Sequence, residues 1–186
     1  MPTPSATPGG ILDEILIDDA TWEAATPARR LEWSVVLDEL LADHRFGVEP
    51  PSGPEDRLRL LLTVRAGSIL CDARTRGGRV VAHEEIALEA LDSHLREYFA
   101  ICREMGELAE GVNSPKLEAL DIAKRLVHDE SAETVQSLFR ALRPDHATAR
   151  RLFTMIVTLH FDTTRLVRPH HLDATLDHRE ARLRGH

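Results

Sequence analysis

The segment from Leu120 to Glu130, which reads LDIAKRLVHDE, carries the side chains best suited to chemistry in this sequence. At the angular spacing of a helix, Asp121, Arg125 and His128 fall within one narrow arc. Asp121 precedes Arg125 by four residues, the spacing at which opposite charges on a helix attract each other. The histidine beside them is suited to act as acid, base or ligand. The same pattern is typical of a solvated helix face with one surface ion pair, so both interpretations stay open.

Glu130 differs from these residues because, when the segment is projected as a helix, Glu130 falls on the side that carries apolar residues. A buried carboxylate is costly unless it is paired or neutralised. A functional carboxylate is one interpretation. Two structural interpretations compete with it: a helix that restarts near residues 128–131 and shifts the phase, or a bond from Arg150 or Arg151.

His160 lies in phase with apolar residues of the segment Ala149 to His160. A lone histidine on an apolar stripe is more often a hydrogen-bonded core residue than a ligand or catalyst. Metal binding needs three or four convergent donors, and the spacing of His128, Glu133 and His160 matches no metal motif. We therefore predict no metal site, and the sequence identifies no cofactor.

Arg150 and Arg151 follow the predicted start of the last helix, and Arg140 and Arg143 precede it. Helix amides together with guanidinium groups favour an anion such as phosphate. The alternative is that these arginines flank the apolar stripe and pair with carboxylates of the preceding helix.

The elements that position these residues begin with a sheet. Four segments have the composition or alternation of β-strands, and they are Ile11 to Ile17, Arg57 to Arg65, Ile69 to Arg74 and Arg79 to His83. Gly77-Gly78 suits a hairpin turn between the last two, so the last three form a predicted antiparallel meander. Thr26 and Pro27 predict the start of a helix between the first two strands.

From Ile86 onward the apolar residues follow the helical period. Three helices are predicted, the first carrying a stripe that ends near Met105, the second from Pro115 to about Leu142, and the third from Ala147 to Phe161. The second is expected to be interrupted near residues 128–131. The fold class is therefore α+β, a small mainly antiparallel sheet (β-α-β-β-β) with a C-terminal three-helix segment packed on it.

The composition limits the classes of partner. A formal net charge of −8 argues against nucleic acid and anionic membranes, because phosphate affinity needs clustered lysine and arginine. No apolar run approaches the roughly 20 residues that a membrane helix needs. Two cysteines, Cys71 and Cys102, do not form a disulfide framework. We predict a cytoplasmic protein whose protein partner and oligomeric state the sequence does not identify.

Three segments resemble the UPF0262 family of uncharacterised bacterial proteins, and they are YFAIC (Tyr98–Cys102), LDIAKRLVHDE (Leu120–Glu130) and ARRLFTMIVTLH (Ala149–His160). The resemblance spans about residues 11–161. The family more often has HNE where this chain has His128-Asp129-Glu130, and often an Arg-Arg pair at Lys124-Arg125. After Cys102 the family usually continues Asp-Ser-Tyr-Tyr, which this chain lacks. The resemblance implies a bacterial cytoplasmic setting and supplies no activity.

Residues 1–10 are expected to form a disordered arm, residues 11–163 a single α+β domain, and residues 164–186 a charged flexible tail. Three functions stay open. The first is a non-enzymatic interaction or regulatory module. The second is an enzyme of unassigned class, hydrolytic among the options, that uses His128 with a carboxylate. The third is a phosphate or anion binder that acts through Arg150 and Arg151.

Overall fold

The structure, a computed structural model, describes residues 11–48, 57–108 and 115–162. The predicted arm over residues 1–10 and the predicted tail over residues 164–186 lie outside the described residues. In chain order the elements are β1 (Leu12–Ile17), α1 (Asp19–Ala24), α2 (Pro27–Ala42), β2 (Leu58–Arg65), β3 (Ser68–Thr75), β4 (Val80–Ala87), α3 (Asp92–Glu107), α4 (Pro115–Leu138) and α5 (His146–His160). One turn of 3₁₀ helix, Leu88–Leu91, joins β4 to α3.

The strands form one mixed sheet in the order β1-β2-β3-β4. β1 runs parallel to β2, and the other two neighbouring pairs are antiparallel. One face of the sheet is buried because alternate residues of β2 are leucines, and Leu58, Leu60 and Leu62 are fully inaccessible. The prediction of an α+β fold with a mainly antiparallel sheet is confirmed.

Two helices rather than one connect the parallel strands. Asp18 caps the short helix α1 by accepting a hydrogen bond from the Thr21 amide at 3.1 Å. Thr26 caps α2 in the same way, and Pro27 occupies its first turn as predicted. The short helix α1 was missed because six residues are too few for an apolar period to be recognised.

The last strand is longer than predicted. β4 continues to Ala87, and Ala82, Glu84 and Ile86 all face the buried side. The sequence obscured this alternation because one of the inward residues is a carboxylate. Glu84 is compensated by the backbone amides of Ala141 and Leu142, both of which donate to its Oε1. Since β4 includes Ile86, the helical spacing of apolar residues begins only after this residue.

The helix α5 lies at the centre of the helical layer, since it packs against both α2 and α4, while α3 packs against α4. Its apolar side chains share one core with the buried face of the sheet. The largest of them, Phe153, is fully inaccessible. Trp33 links α2 to this helix by donating from Nε1 to the Thr158 carbonyl at 2.9 Å. Across the described residues, no helix is both long enough and apolar enough to cross a bilayer.

The helix α4 is continuous through residues 128–131, so the predicted interruption is wrong. Ser131 does not cap a new helix, because its hydroxyl donates to the Val127 carbonyl one turn earlier, at 2.5 Å. The helix also ends at Leu138 and not near Leu142. Beyond it the chain turns through Arg143, whose φ is +48°.

Candidate functional site

A cleft of about 370 Å³ lies between α4 and the first half of α5. Its lining residues are His128, His146, Ala147, Arg150, Arg151 and Thr154. Five of these six lie on α5, and His128 lies on α4. The cleft therefore collects two arginines and two histidines, which in the sequence are separated by up to 23 positions.

The start of α5 is fixed by hydrogen bonds to the segment that follows α2. Asp145 caps the helix by accepting from the Thr148 amide at 2.8 Å, and its own amide donates to the Arg45 carbonyl at 3.0 Å. The Arg45 amide in turn donates to the Thr148 hydroxyl at 2.7 Å. These bonds orient the first turns of α5, and so the side chains that line the cleft.

Asp129 provides a carboxylate at the edge of the cleft. Its Oδ1 lies 3.2 Å from Nη1 of Arg150 and 3.3 Å from Nε2 of His146. Arg151 forms its own ion pair with Asp43, which follows α2. All of these side chains are partly exposed, so water and small ions have access to the cationic groups.

His128 occupies the more enclosed side of the cleft. Its ring meets those of Tyr98 and Phe153 edge to face, with centroid distances of 5.4 and 5.5 Å. Burial among these rings, together with the charges of Lys124 and Arg150, lowers the pKa of His128 to about 4. His128 is therefore neutral at pH 7 and offers one nitrogen as donor and the other as acceptor.

Tyr98 forms part of the wall behind His128. Its ring also meets Phe153 edge to face at 5.9 Å, and Nζ of Lys124 lies 5.6 Å from the ring centroid. Burial raises the pKa of the Tyr98 hydroxyl, with the neighbouring Cys102 adding to the effect. The phenol thus stays protonated and neutral at pH 7.

Asp121 and Arg125 do not take part in the cleft. They form an exposed ion pair of 3.4 Å on the surface of α4. His128 lies in nearly the same helical direction, but it is one turn further along, where α5 covers α4. The three side chains therefore point in similar directions from α4, and their surroundings differ because Phe153 of α5 packs against His128 while Asp121 and Arg125 stay exposed.

Glu130 is exposed, so its predicted position on the apolar side is wrong. The buried arc of α4 contains Leu120, Val127 and Ala132, while Leu126, which suggested the other orientation, is 56% exposed. The alternative of a bond from Arg150 or Arg151 to Glu130 is also wrong, because Arg150 contacts the neighbouring carboxylate, Asp129, and Arg151 pairs with Asp43.

His160 belongs to a different part of the molecule. Its Nε2 donates to the Arg65 carbonyl at the end of β2, at 2.8 Å. Burial lowers its pKa, although this hydrogen bond opposes the shift. The predicted hydrogen-bonded histidine agrees with these contacts, and His160 is not among the residues that line the cleft. A catalytic pairing of His128 with a carboxylate stays a prediction from the sequence.

The basic run divides between two places. Arg150 and Arg151 line the cleft, whereas Arg143 donates to the Gly47 carbonyl and Arg140 to the Ser137 carbonyl. Three residues of this region, His146, Asp129 and Thr154, were not predicted from the sequence to belong to a site. His146 directly follows Asp145, the residue that caps α5. A position in the first turn of a helix is typical of an exposed residue, so the sequence did not indicate its contact with Asp129 of α4. Within the described ranges, no group of three His, Cys, Asp or Glu residues is arranged to hold a metal ion.

Comparison with known proteins identifies relatives along nearly the whole described length. A family described as "Uncharacterised protein family (UPF0262)" matches residues 10–162. A UPF0262 protein of Paracoccus denitrificans is 32% identical over 155 residues, which cover 80% of this chain and 94% of the relative. One from Jannaschia sp. is 30% identical over 148 residues, 79% of this chain and 95% of the relative. One from Rhodospirillum rubrum is 29% identical, over 80% and 91%. No solved structure matches the chain.

Proposed function

The chain belongs to the UPF0262 family of uncharacterised proteins, and we propose from its own side chains that it is a non-enzymatic module that binds a small anion. The site is the cleft between α4 and α5. The observation that carries the proposal is the convergence of Arg150, Arg151 and His146 on one accessible volume. Guanidinium groups bind carboxylate and phosphate oxygens through paired hydrogen bonds, which suits them to such a ligand.

The dimensions of the cleft support a small molecule as the ligand. Its volume of about 370 Å³ lies near the lower end of the range of roughly 300–1,000 Å³ typical of small-molecule sites. A net charge of −8 opposes long polyanions, because they would meet the negative field of the whole chain. The positive groups are therefore suited to a compact anion.

The contacts of His128 support binding more than acid–base catalysis. A histidine whose pKa is about 4 has lost most of its basicity, whereas an efficient general base has a pKa near the working pH. A neutral imidazole beside two guanidinium groups is suited to hydrogen-bond a ligand atom without adding charge. His128 is accordingly assigned the role of a neutral contact in the cleft.

The proposal includes a cytoplasmic location. Cys71 and Cys102 are both buried free thiols, which is in keeping with a reducing compartment. Burial raises the pKa of Cys71, so this thiol stays protonated.

The proposal is tested by titrating inorganic phosphate into the protein at constant ionic strength and following backbone amide resonances by NMR. We expect the amides of Ala147 and Arg150 to shift, with a dissociation constant on the order of 1 mM, because the cationic groups are partly exposed. Arg150→Gln and Arg151→Gln should each weaken binding about tenfold.

Arg125→Gln is the matched control, because it removes one positive charge from a surface ion pair on α4 that does not line the cleft. This variant should bind phosphate within about twofold of the unmodified chain. Equal losses in the control and in the cleft variants would mean that only net charge matters, and would contradict the proposed site.

A further inference from the structure

We infer that Asp129 acts as a built-in carboxylate that competes with the ligand for the cationic cleft, and that the ligand group able to displace it is a phosphoryl dianion. The inference rests on the proposed anion-binding function and deepens it, since it names the ligand chemistry and the residue that sets the affinity. The observation that carries it is that two side chains lining the cleft, Arg150 and His146, converge on one oxygen of Asp129.

The geometry is that of an occupied anion site. Arg150 approaches Oδ1 of Asp129 at 3.2 Å and His146 approaches the same atom at 3.3 Å. These distances are longer than the 2.7–2.9 Å of a strong charged hydrogen bond. Asp129 therefore holds the two donors near each other without satisfying either of them fully, and a better acceptor is able to replace it.

The position of Asp129 on its helix explains why it enters the site only at the edge. Asp129 follows His128 by one residue, so the two side chains leave α4 in directions that differ by about 100°. His128 points between the rings of Tyr98 and Phe153, and Asp129 reaches α5 across the opening of the cleft. A ligand can thus displace Asp129 toward solvent without disturbing the packing around His128.

A monocarboxylate ligand would gain little from such an exchange, because it replaces one carboxylate by another of equal charge. A phosphoryl group carries about −1.5 to −2 charge at pH 7 and three acceptor oxygens. It is therefore able to accept from His146, Arg150 and Arg151 together, whereas Asp129 contacts only the first two. The exchange then increases both the charge interaction and the number of hydrogen bonds.

The size of the cleft favours a phosphate monoester over inorganic phosphate as the natural source of this group. A volume of about 370 Å³ leaves space for an organic part beside the phosphoryl oxygens. His128 and Thr154 line the same space, and the Thr154 hydroxyl, which donates to the Arg150 carbonyl at 3.2 Å, keeps its lone pairs as acceptors. They are polar groups without net charge at pH 7, suited to a hydroxyl-bearing organic part.

The test compares Asp129→Asn with Asp121→Asn, because each removes one partly exposed carboxylate from α4 and only Asp129 contacts Arg150 and His146. Inorganic phosphate, glycerol phosphate and acetate are each titrated at pH 8, well above the second pKa of about 6 of a phosphate ester. Amide shifts report the dissociation constants, and circular dichroism confirms that both variants are folded.

We expect Asp129→Asn to bind phosphate and glycerol phosphate about three- to tenfold more tightly than the unmodified chain, and Asp121→Asn to change affinity less than about twofold. Glycerol phosphate should bind at least as tightly as inorganic phosphate, and acetate more weakly than both. Acetate binding as tight as phosphate would overturn the assignment of the ligand group, and weaker glycerol phosphate binding would overturn the monoester as its source.

Failure of the inference is distinguishable from failure of the proposed function. If Asp129→Asn gains no affinity while Arg150→Gln still weakens phosphate binding, the competition is overturned and the anion site stands. If neither the unmodified chain nor Asp129→Asn binds any phosphate, both are overturned.

Discussion

At the scale of single residues, His128 and Asp129 are neighbours in the chain with opposite roles. The ring of His128 packs against Tyr98 and Phe153, and its pKa is lowered to about 4 mainly by burial. The carboxylate of Asp129 remains partly exposed and contacts Arg150 and His146. Burial therefore keeps the imidazole of His128 neutral, while the carboxylate of the next residue stays accessible to water and to donors from α5.

Replacement of the His128 ring is expected to affect stability through its aromatic contacts. His128→Ala should lower the free energy of unfolding by about 1–3 kcal/mol, because two edge-to-face contacts are lost and a void remains. His128→Phe should recover most of this loss, since it restores a ring at the same position. Urea denaturation at pH 7 measures both values, and an alanine variant as stable as the unmodified chain would contradict the role of the ring contacts.

At the scale of elements, Glu84 joins the sheet to the connection between α4 and α5. Its side chain extends from β4, is only 8% exposed, and accepts hydrogen bonds from the amides of Ala141 and Leu142. The next residue, Glu85, faces the opposite, exposed side and accepts from the Ser68 hydroxyl at 2.9 Å. One strand thus uses two adjacent carboxylates in different ways, because alternate residues face opposite sides.

The link through Glu84 is expected to be a main contributor to stability. Glu84→Ala should lower the free energy of unfolding by about 2–4 kcal/mol, because two amides lose their acceptor and that of Leu142 is buried. Glu84→Gln should restore part of this loss, since its carbonyl oxygen is still able to accept. Glu85→Ala is the matched control and should cost less than about 0.5 kcal/mol. Equal destabilisation by the alanine variants at 84 and 85, measured in urea, would refute the proposed link.

At the scale of the whole molecule, three histidines among the described residues couple folding to pH. The pKa values of His44, His128 and His160 are all lowered, in each case mainly by burial. His44 accepts from the Leu12 amide through Nε2 and donates to the Leu41 carbonyl through Nδ1, both at 3.0 Å, so it ties β1 to the end of α2 while neutral. Protonation of Nε2 would remove the acceptor from the first of these bonds.

We expect stability to fall as the pH drops below about 6.5, the ordinary histidine pKa. Below that pH the unfolded chain binds protons that the folded chain does not, so the free energy of unfolding decreases, and for His128 the decrease continues toward pH 4. The shift of His128 alone should account for about 1–2 kcal/mol of this loss between pH 7 and pH 5 after allowance for solvent screening. Thermal unfolding at each pH measures it, and an unchanged midpoint from pH 7 to pH 5 would contradict the expected proton linkage.

Much of the fold could be predicted because the signals are local. Alternating leucines in Leu58–Arg65, the Thr26-Pro27 helix start and the apolar stripe of His146–His160 are all readable over a few residues. The errors arose where a tertiary contact reversed a local preference. Glu84 made an inward strand position look polar, and the exposed Leu126 made Glu130 look buried.

The candidate site could be predicted only in part. Arg150 and Arg151 were identified as anion-binding candidates because two adjacent arginines at a helix start have a recognisable chemistry. Their actual partners, Asp129 and Asp43, were not identified. Asp43 precedes Arg151 by 108 positions, and no spacing rule connects residues so far apart.

The sequence by itself determined the fold class, the family and the side chains that are chemically capable of binding an anion, because each depends on residue type and on short-range periodicity. Only the tertiary structure decided which of these side chains meet. The packing of α5 between α2 and α4 brought His146 and Arg150 to Asp129, buried the ring of His128, and left Asp121, Arg125 and Glu130 at the surface. The physical reason is that burial and ion pairing depend on which other elements pack against a side chain. Neighbouring residues of one helix point in different directions and so meet different elements.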